Sequence, residues 1–216
     1  NYVANLQSCE ILPPHVSDLL PALRSLFSAL SIADQLPQLD IAVGEHCSAL
    51  LLRILKPLTA SDQRRLCAFA DQHQLVLYMQ PKGPDSAYRL HPLPGPRLSY
   101  VLPEFNLEMD FRPTDFTQVN HPVNRVMLRR AVRLLDPRPG ERIADMFCGL
   151  GNFTLPIARS GADVVGIEGS AALVQRGKES AAVNGLSERV SFAVANLFEC
   201  TEASITALGA FDKMLI

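Results

Sequence analysis

No two of the five cysteines (Cys9, Cys47, Cys67, Cys148, Cys200) stand in a CxxC pair, and their number is odd. That excludes a disulfide framework and reads as reduced thiols in a cytoplasmic protein. Long apolar runs are missing as well. None approaches the ~20 residues that cross a bilayer, so no membrane association is expected. The opening NYVANLQSCE lacks the basic start and apolar stretch of a signal peptide. Charge of one sign is absent too: 20 basic against 22 acidic residues leave a net charge of −2. Composition therefore gives no support for nucleic-acid binding. No internal repeat or low-complexity tract occurs. What is present is an ordinary globular composition, 48% hydrophobic and 19% charged over 216 residues. That length suits one large domain or two small ones.

The patterning changes character near residue 114, which we take as a boundary between a domain over 1–113 and another over 114–216. In the first part, Val16, Leu19, Leu20, Leu23, Leu26, Phe27 and Leu30 form a helical stripe. Pro21 inside it predicts a kink or a start near Asp18. Strands are expected at 39–43, 49–55 and 75–80, with a helix over 59–74 capped by Thr59 or Ser61. Six prolines between 81 and 103 mark an irregular connection. RLSYVL and FNLEMDF read as strands on either side of Pro103. Beyond the boundary, a capped helix over 120–135 precedes strand 142–147, helix 152–159, strand 163–168, helix 170–183 and strand 190–194. A short helix near 202–208 leads to FDKMLI, a further strand. Alternating strands and helices predict a parallel sheet in a doubly wound α/β domain, in the order 3-2-1-4. The chain stops inside an apolar strand, so a piece of a longer protein is expected.

At the end of the first of these strands stands DMFCGLGNFTLPIA, residues 145–158. Glycines one residue apart let the backbone turn tightly and admit a ligand close to it. Ligands of open α/β sheets bind beyond the carboxyl ends of the strands. The next strand ends in VVGIEG, with Glu168 seventeen residues after Gly151. A carboxylate there accepts from ribose hydroxyls, which fits NAD and S-adenosylmethionine alike. A dinucleotide fingerprint, however, needs a third glycine where this chain has Thr154. Asp145 adds a negative charge that repels a pyrophosphate and suits an ammonium and sulfonium ligand. The loop therefore favours S-adenosyl-L-methionine.

DFTQVN (115–120), DMFCGLGNFTLPIA, VVGIEG, NGL, NLFE and FDKMLI occur in an order that resembles the RNA uracil-5-methyltransferases. The similarity is greatest to the branch that makes 5-methyluridine in 23S ribosomal RNA, and it covers essentially the whole chain. It implies a class I S-adenosylmethionine-dependent methyltransferase domain with a Rossmann-like fold, truncated after its fourth strand and preceded by a smaller α+β central domain. It implies that Gln118, Phe147, Asn152, Glu168 and Asn196 contact S-adenosyl-L-methionine. Gln118 would serve the amino-acid end, Phe147 the adenosine wall and Asn152 a polar group at the helix start. Glu168 would take the ribose, and Asn196 an adenine edge. SCEILPP resembles the segment carrying the last iron–sulfur cysteine, which makes Cys9 one ligand of a [4Fe–4S] cluster formed only in the full-length protein.

In this family a cysteine thiolate attacks carbon 6 of uracil, carbon 5 takes the methyl group, and a base removes its proton. Both residues lie in motifs beyond the fourth strand, so this chain is expected to hold no catalytic residue and to be inactive by itself. The implied partner is 23S ribosomal RNA, with no membrane and no obligate protein partner. Cys148 reads as a small thiol buried under the loop rather than a nucleophile. Cys47, Cys67 and Cys200 read as core or surface thiols, and His121 as a helix-start residue. Arg125, Arg129, Arg130 and Arg133 read as a solvated helix face rather than an RNA path. Two rivals remain: an NAD-dependent oxidoreductase and a non-catalytic RNA-binding module.

Overall fold

The computed structural model describes residues 5–216, so the first four residues of the segment read for a signal peptide lie outside it. The chain divides into two compact units: residues up to 42 with 47–96, and residues 43–46 with 97–216.

The first unit opens with helices α1 (Pro14–Ser17) and α2 (Leu20–Ser28). Of the two outcomes expected around Pro21, a kink or a start near Asp18, the second is found: α2 starts at Leu20, with Pro21 in its first turn, where its missing N–H costs nothing. Strands β1 (Gln38–Val43) and β2 (Ser48–Arg53) are followed by α3 (Ala60–His73), β3 (Leu75–Gln80) and β4 (Tyr88–His91). They form one sheet in the order β1-β2-β3-β4. Thr59 starts α3 with a capping box: its hydroxyl oxygen accepts from the Asp62 N–H at 3.1 Å, and the Asp62 carboxylate accepts from the Thr59 N–H at 3.3 Å. Bonds from the Ser31 side chain and backbone, and then from Thr59, hold the Asp62 carboxyl well below the usual range. Leu50, Leu52, Leu66, Leu77 and Met79 fill the core between the helices and the sheet.

Strand β4 departs from the expected irregular connection. The four residues of YRLH contain no proline and pair antiparallel with β3, while Pro92 stops the strand. As an edge strand it tolerates prolines close on both sides.

The second unit begins with an antiparallel pair, β5 (Ser99–Leu102) and β6 (Leu107–Asp110). Then follow α4 (His121–Leu135), β7 (Arg142–Met146), α5 (Thr154–Ala158), β8 (Asp163–Glu168), α6 (Ala171–Val183), β9 (Val190–Val194), α7 (Glu202–Ala207) and β10 (Lys213–Leu215). The β5–β6 hairpin thus lies in this unit, whereas the sequence boundary at 114 set it in the preceding domain. Side-chain bonds that no local pattern reveals hold it there. Asn184 both donates to the Glu108 carbonyl at 2.7 Å and accepts from its N–H at 3.0 Å, and Arg159 donates to the carbonyls of Phe105 and Asn106.

The main sheet has the order β10-β7-β8-β9, all parallel, which is the expected 3-2-1-4. Four consecutive residues of β8, Val164 to Ile167, are buried, as a strand covered on both faces requires. Gly166 stands in register with Phe192 of β9. A Cβ at Gly166 would lie 2.8 Å from the Phe192 ring, and one at Gly177 of α6 would lie 2.7 Å from it. Two glycines therefore cut the slot into which Phe192 packs, and this lets α6 lie close on the sheet.

Candidate functional site

The carboxyl end of β7 runs into residues 147–153. Phe147 takes a left-handed backbone conformation at φ 60°, and Gly149 and Gly151 follow at 56° and 94°. Glycine adopts such angles freely, but for phenylalanine they cost about 1–3 kcal/mol and are held only by surrounding structure. That structure is visible. Cys148 N–H bonds to the Ile167 carbonyl at 3.0 Å, and Gly149 N–H donates to Glu168 Oε2 at 3.0 Å. Glu168 Oε1 accepts from Ser170 N–H at 3.0 Å. The carboxylate at the end of β8 thus ties the glycine turn to the start of α6. Each oxygen keeps a lone pair for a further donor, so the same group can still meet two hydroxyls.

Asp145 does not present the free negative charge expected from the sequence. It is 2% exposed, and its Oδ2 accepts the Thr154 hydroxyl at 2.5 Å. Burial pushes its carboxyl up to about 7, against the Thr154 hydrogen bonds that lower it. Thr154, itself fully buried, occupies the position where a dinucleotide fold places its third glycine. That position is spent on holding Asp145. Cys148 is buried, and desolvation, followed by the charges of Asp145 and Glu168, raises its thiol far above the ordinary value. A thiol that resists ionisation is a poor nucleophile, in line with the packing role expected of it.

Of the five residues expected around the cofactor, Phe147, Asn152 and Glu168 gather on the glycine turn and its bracing strand. The Phe147 ring is half exposed and tilts against Phe198, with centroids 5.5 Å apart. Asn196 lies just past β9, exposed, and its Oδ1 accepts from Phe198 N–H at 3.1 Å, which shapes the turn presenting that ring. Gln118 is exposed on the irregular segment between β6 and α4. A buried ion pair between Asp115 and Arg176 fastens that segment to α6.

Asn152 is engaged more fully than expected. Its Oδ1 accepts from Tyr100 OH at 2.9 Å and from Asn124 Nδ2 at 3.1 Å, while its Nδ2 donates to Asn124 Oδ1 at 2.9 Å. Sequence reasoning missed Tyr100 and Asn124. One signal was available for Asn124, a small polar residue four positions from Leu128 on the buried face of α4. Among the arginines of α4, Arg125 and Arg129 approach Glu45 and Glu104 at 3.9 and 3.7 Å. Cys9 is half-buried and its N–H donates to Ser17 Oγ at 2.8 Å. No group of three or more His, Cys, Asp or Glu is arranged to hold a metal among the described residues. A cluster needs about four thiolates, so Cys9 and its surroundings do not make a complete site. Nor, among the described residues, is any helix long and apolar enough to cross a membrane.

Residues 137–216 match the family described as a methyltransferase domain. The 23S rRNA (uracil(1939)-C(5))-methyltransferase RlmD of Dechloromonas aromatica is 70% identical over all 216 residues of this chain, which cover 50% of its own length. The RlmD of Aromatoleum aromaticum is 57% identical over the same span, again 50% of its length. The chain thus spans about half the length of these curated relatives. Among solved structures, the tRNA (uracil-54, C5)-methyltransferase of Pyrococcus abyssi, in complex with S-adenosyl-L-homocysteine, superposes on 100% of this chain and 54% of its own with a TM-score of 0.70. At 14% identity that likeness is one of fold. Over all 216 residues the chain is thus similar in sequence to one half of each of these 23S rRNA uracil-C5-methyltransferases.

Proposed function

We infer that this chain is the cofactor-binding part of a methyltransferase that binds S-adenosyl-L-methionine and modifies carbon 5 of a uridine in 23S ribosomal RNA in the cytoplasm. The observation that carries this reading is the turn at Phe147–Gly151, held against its own backbone preference by the Glu168 carboxylate. It forms a tight, rigid cradle at the carboxyl ends of parallel strands, where such folds take nucleotide-like ligands. Thr154 and Asp145, closed on each other under the turn, favour this over a dinucleotide, whose pyrophosphate asks for glycine at that place.

The cofactor supplies an activated methyl group on a sulfonium. The residues of this chain bind and orient it: Glu168 receives the ribose hydroxyls, Phe147 walls the adenosine, and Asn196 meets the adenine edge. Gln118 and Asn152 serve the amino-acid end. Nucleophile and base belong to the portion of the relatives that this chain does not span, and Cys9 contributes one ligand to an iron–sulfur cluster completed there. The names of the RlmD relatives support the ribosomal substrate.

Titration calorimetry on the full-length protein with S-adenosyl-L-homocysteine tests the reading, together with methyl transfer to unmodified 23S ribosomal RNA. Glu168→Ala removes charge-assisted hydrogen bonds worth about 1.5–3 kcal/mol each, so affinity should fall by at least ~10-fold. Unchanged affinity removes Glu168 from the site. Binding of NAD in place of S-adenosyl-L-homocysteine overturns the assignment.

A further inference from the structure

The side-chain amide of Asn152 is nearly saturated. Its oxygen accepts twice, from Tyr100 OH at 2.9 Å and Asn124 Nδ2 at 3.1 Å, and one of its two N–H bonds is given to Asn124 Oδ1 at 2.9 Å. A carboxamide has two acceptor sites and two donor bonds, so one N–H is all that remains for a ligand. The partners are rigid. Asn124 is 2% exposed on α4 and Tyr100 is 4% exposed on β5.

Tyr100 decides which way the amide faces. Among the described residues, no acceptor other than Asn152 Oδ1 is recorded for its hydroxyl. Burial raises the Tyr100 phenol far above its ordinary value, so it stays protonated and must donate. An amide turned the other way would leave that buried hydroxyl proton without an acceptor, which is costly. Oxygen therefore faces the hairpin, and the free N–H is what the glycine turn can offer. The cofactor's acceptors are the adenine ring nitrogens, assigned above to Asn196, the ribose oxygens and the carboxylate of its amino-acid part. The ribose hydroxyls are matched by the Glu168 carboxylate, which accepts. A lone N–H donor is matched by the carboxylate.

The geometry points to Tyr100 and Asn124 as positioning residues that hold the Asn152 amide as a hydrogen-bond donor toward the carboxylate of the cofactor's amino-acid end, an inference that rests on the cofactor reading above. It gives the β5–β6 hairpin a functional task in the second unit.

The test uses the full-length protein and two ligands that share the adenosine thioether: S-adenosyl-L-homocysteine, which carries the carboxylate, and 5′-methylthioadenosine, which does not. Tyr100→Phe keeps the ring and frees the amide to turn, and Asn124→Leu removes the other partner at similar volume. Thermal melting of each variant reports folding. The Kd for S-adenosyl-L-homocysteine should rise about 3- to 10-fold in either variant, while that for 5′-methylthioadenosine stays within about 2-fold. Equal losses for both ligands would reduce the pair to scaffold and overturn the inference. So would unchanged binding of S-adenosyl-L-homocysteine by folded Tyr100→Phe protein. If the wild type binds neither ligand, the cofactor reading itself falls, and the inference with it.

Discussion

A single carboxyl group, Asp145, shows how burial changes what a residue can be used for. In sequence it is a charge before a glycine turn; in the structure it is 2% exposed and closed on Thr154. Its carboxyl moves from an ordinary 3.8 up to about 7 because burial disfavours the anion. The consequence for stability has a definite sign. Between about pH 4 and pH 7 the folded chain keeps a proton that the unfolded chain has released, so stability falls as pH rises through that window, by on the order of 1.4 kcal/mol per pH unit. Asp145→Asn keeps an oxygen for the Thr154 hydroxyl but cannot ionise. Urea unfolding of the second unit at pH 5 and pH 8 should show wild type losing ground to the variant at the higher pH. Parallel behaviour of the two proteins would show that Asp145 is ionised in the fold after all.

Between elements, the packing of α6 on the sheet turns on the slot made for Phe192. Glycine inside a helix is ordinarily a defect, and replacing it with alanine gains about 1 kcal/mol of helix propensity. At Gly177 the new Cβ would meet the Phe192 ring at 2.7 Å, and Gly166 on the facing strand leaves the ring no room, since its own Cβ position lies 2.8 Å away. Overpacking of this kind costs about 1–3 kcal/mol, so it outweighs the propensity gain. Gly177→Ala is expected to lower the urea midpoint of the second unit, with Gly177→Ala/Phe192→Leu recovering part of the loss. A variant more stable than wild type would mean that the ring can move aside.

For the molecule as a whole, the open side of the main sheet is the exposed feature of greatest consequence. Among the described residues, strand β10 pairs with β7 alone, Met214 is 37% exposed and Ile216 89%. An apolar edge with unpaired backbone groups is a template for another chain. The 216-residue chain is therefore expected to self-associate with rising concentration, and Met214→Lys should suppress this by placing a charge on the edge. Light scattering over a concentration series measures it. A monomer at every concentration would show that the edge is protected.

Local chemistry made much of this readable from sequence. Strands 163–168 and 190–194 fall at the bounds read from their apolar patterning, and α6 starts one residue past its Ser170 cap, because burial periodicity and end-capping act over a few neighbouring residues. The alternation of strand and helix led in the same way to a parallel sheet, found in the expected order 3-2-1-4. Tertiary structure alone decided the rest. The hairpin joins the second unit through Asn184 and Arg159, and Asn152 is held by Tyr100 and Asn124, which are 52 and 28 residues away in the chain. Such bonds leave no trace in local pattern, since a polar side chain looks the same in sequence whether it meets water or a distant partner. The role of Asp145 was hidden for the same reason: a charge depends on solvation, and solvation belongs to the folded molecule.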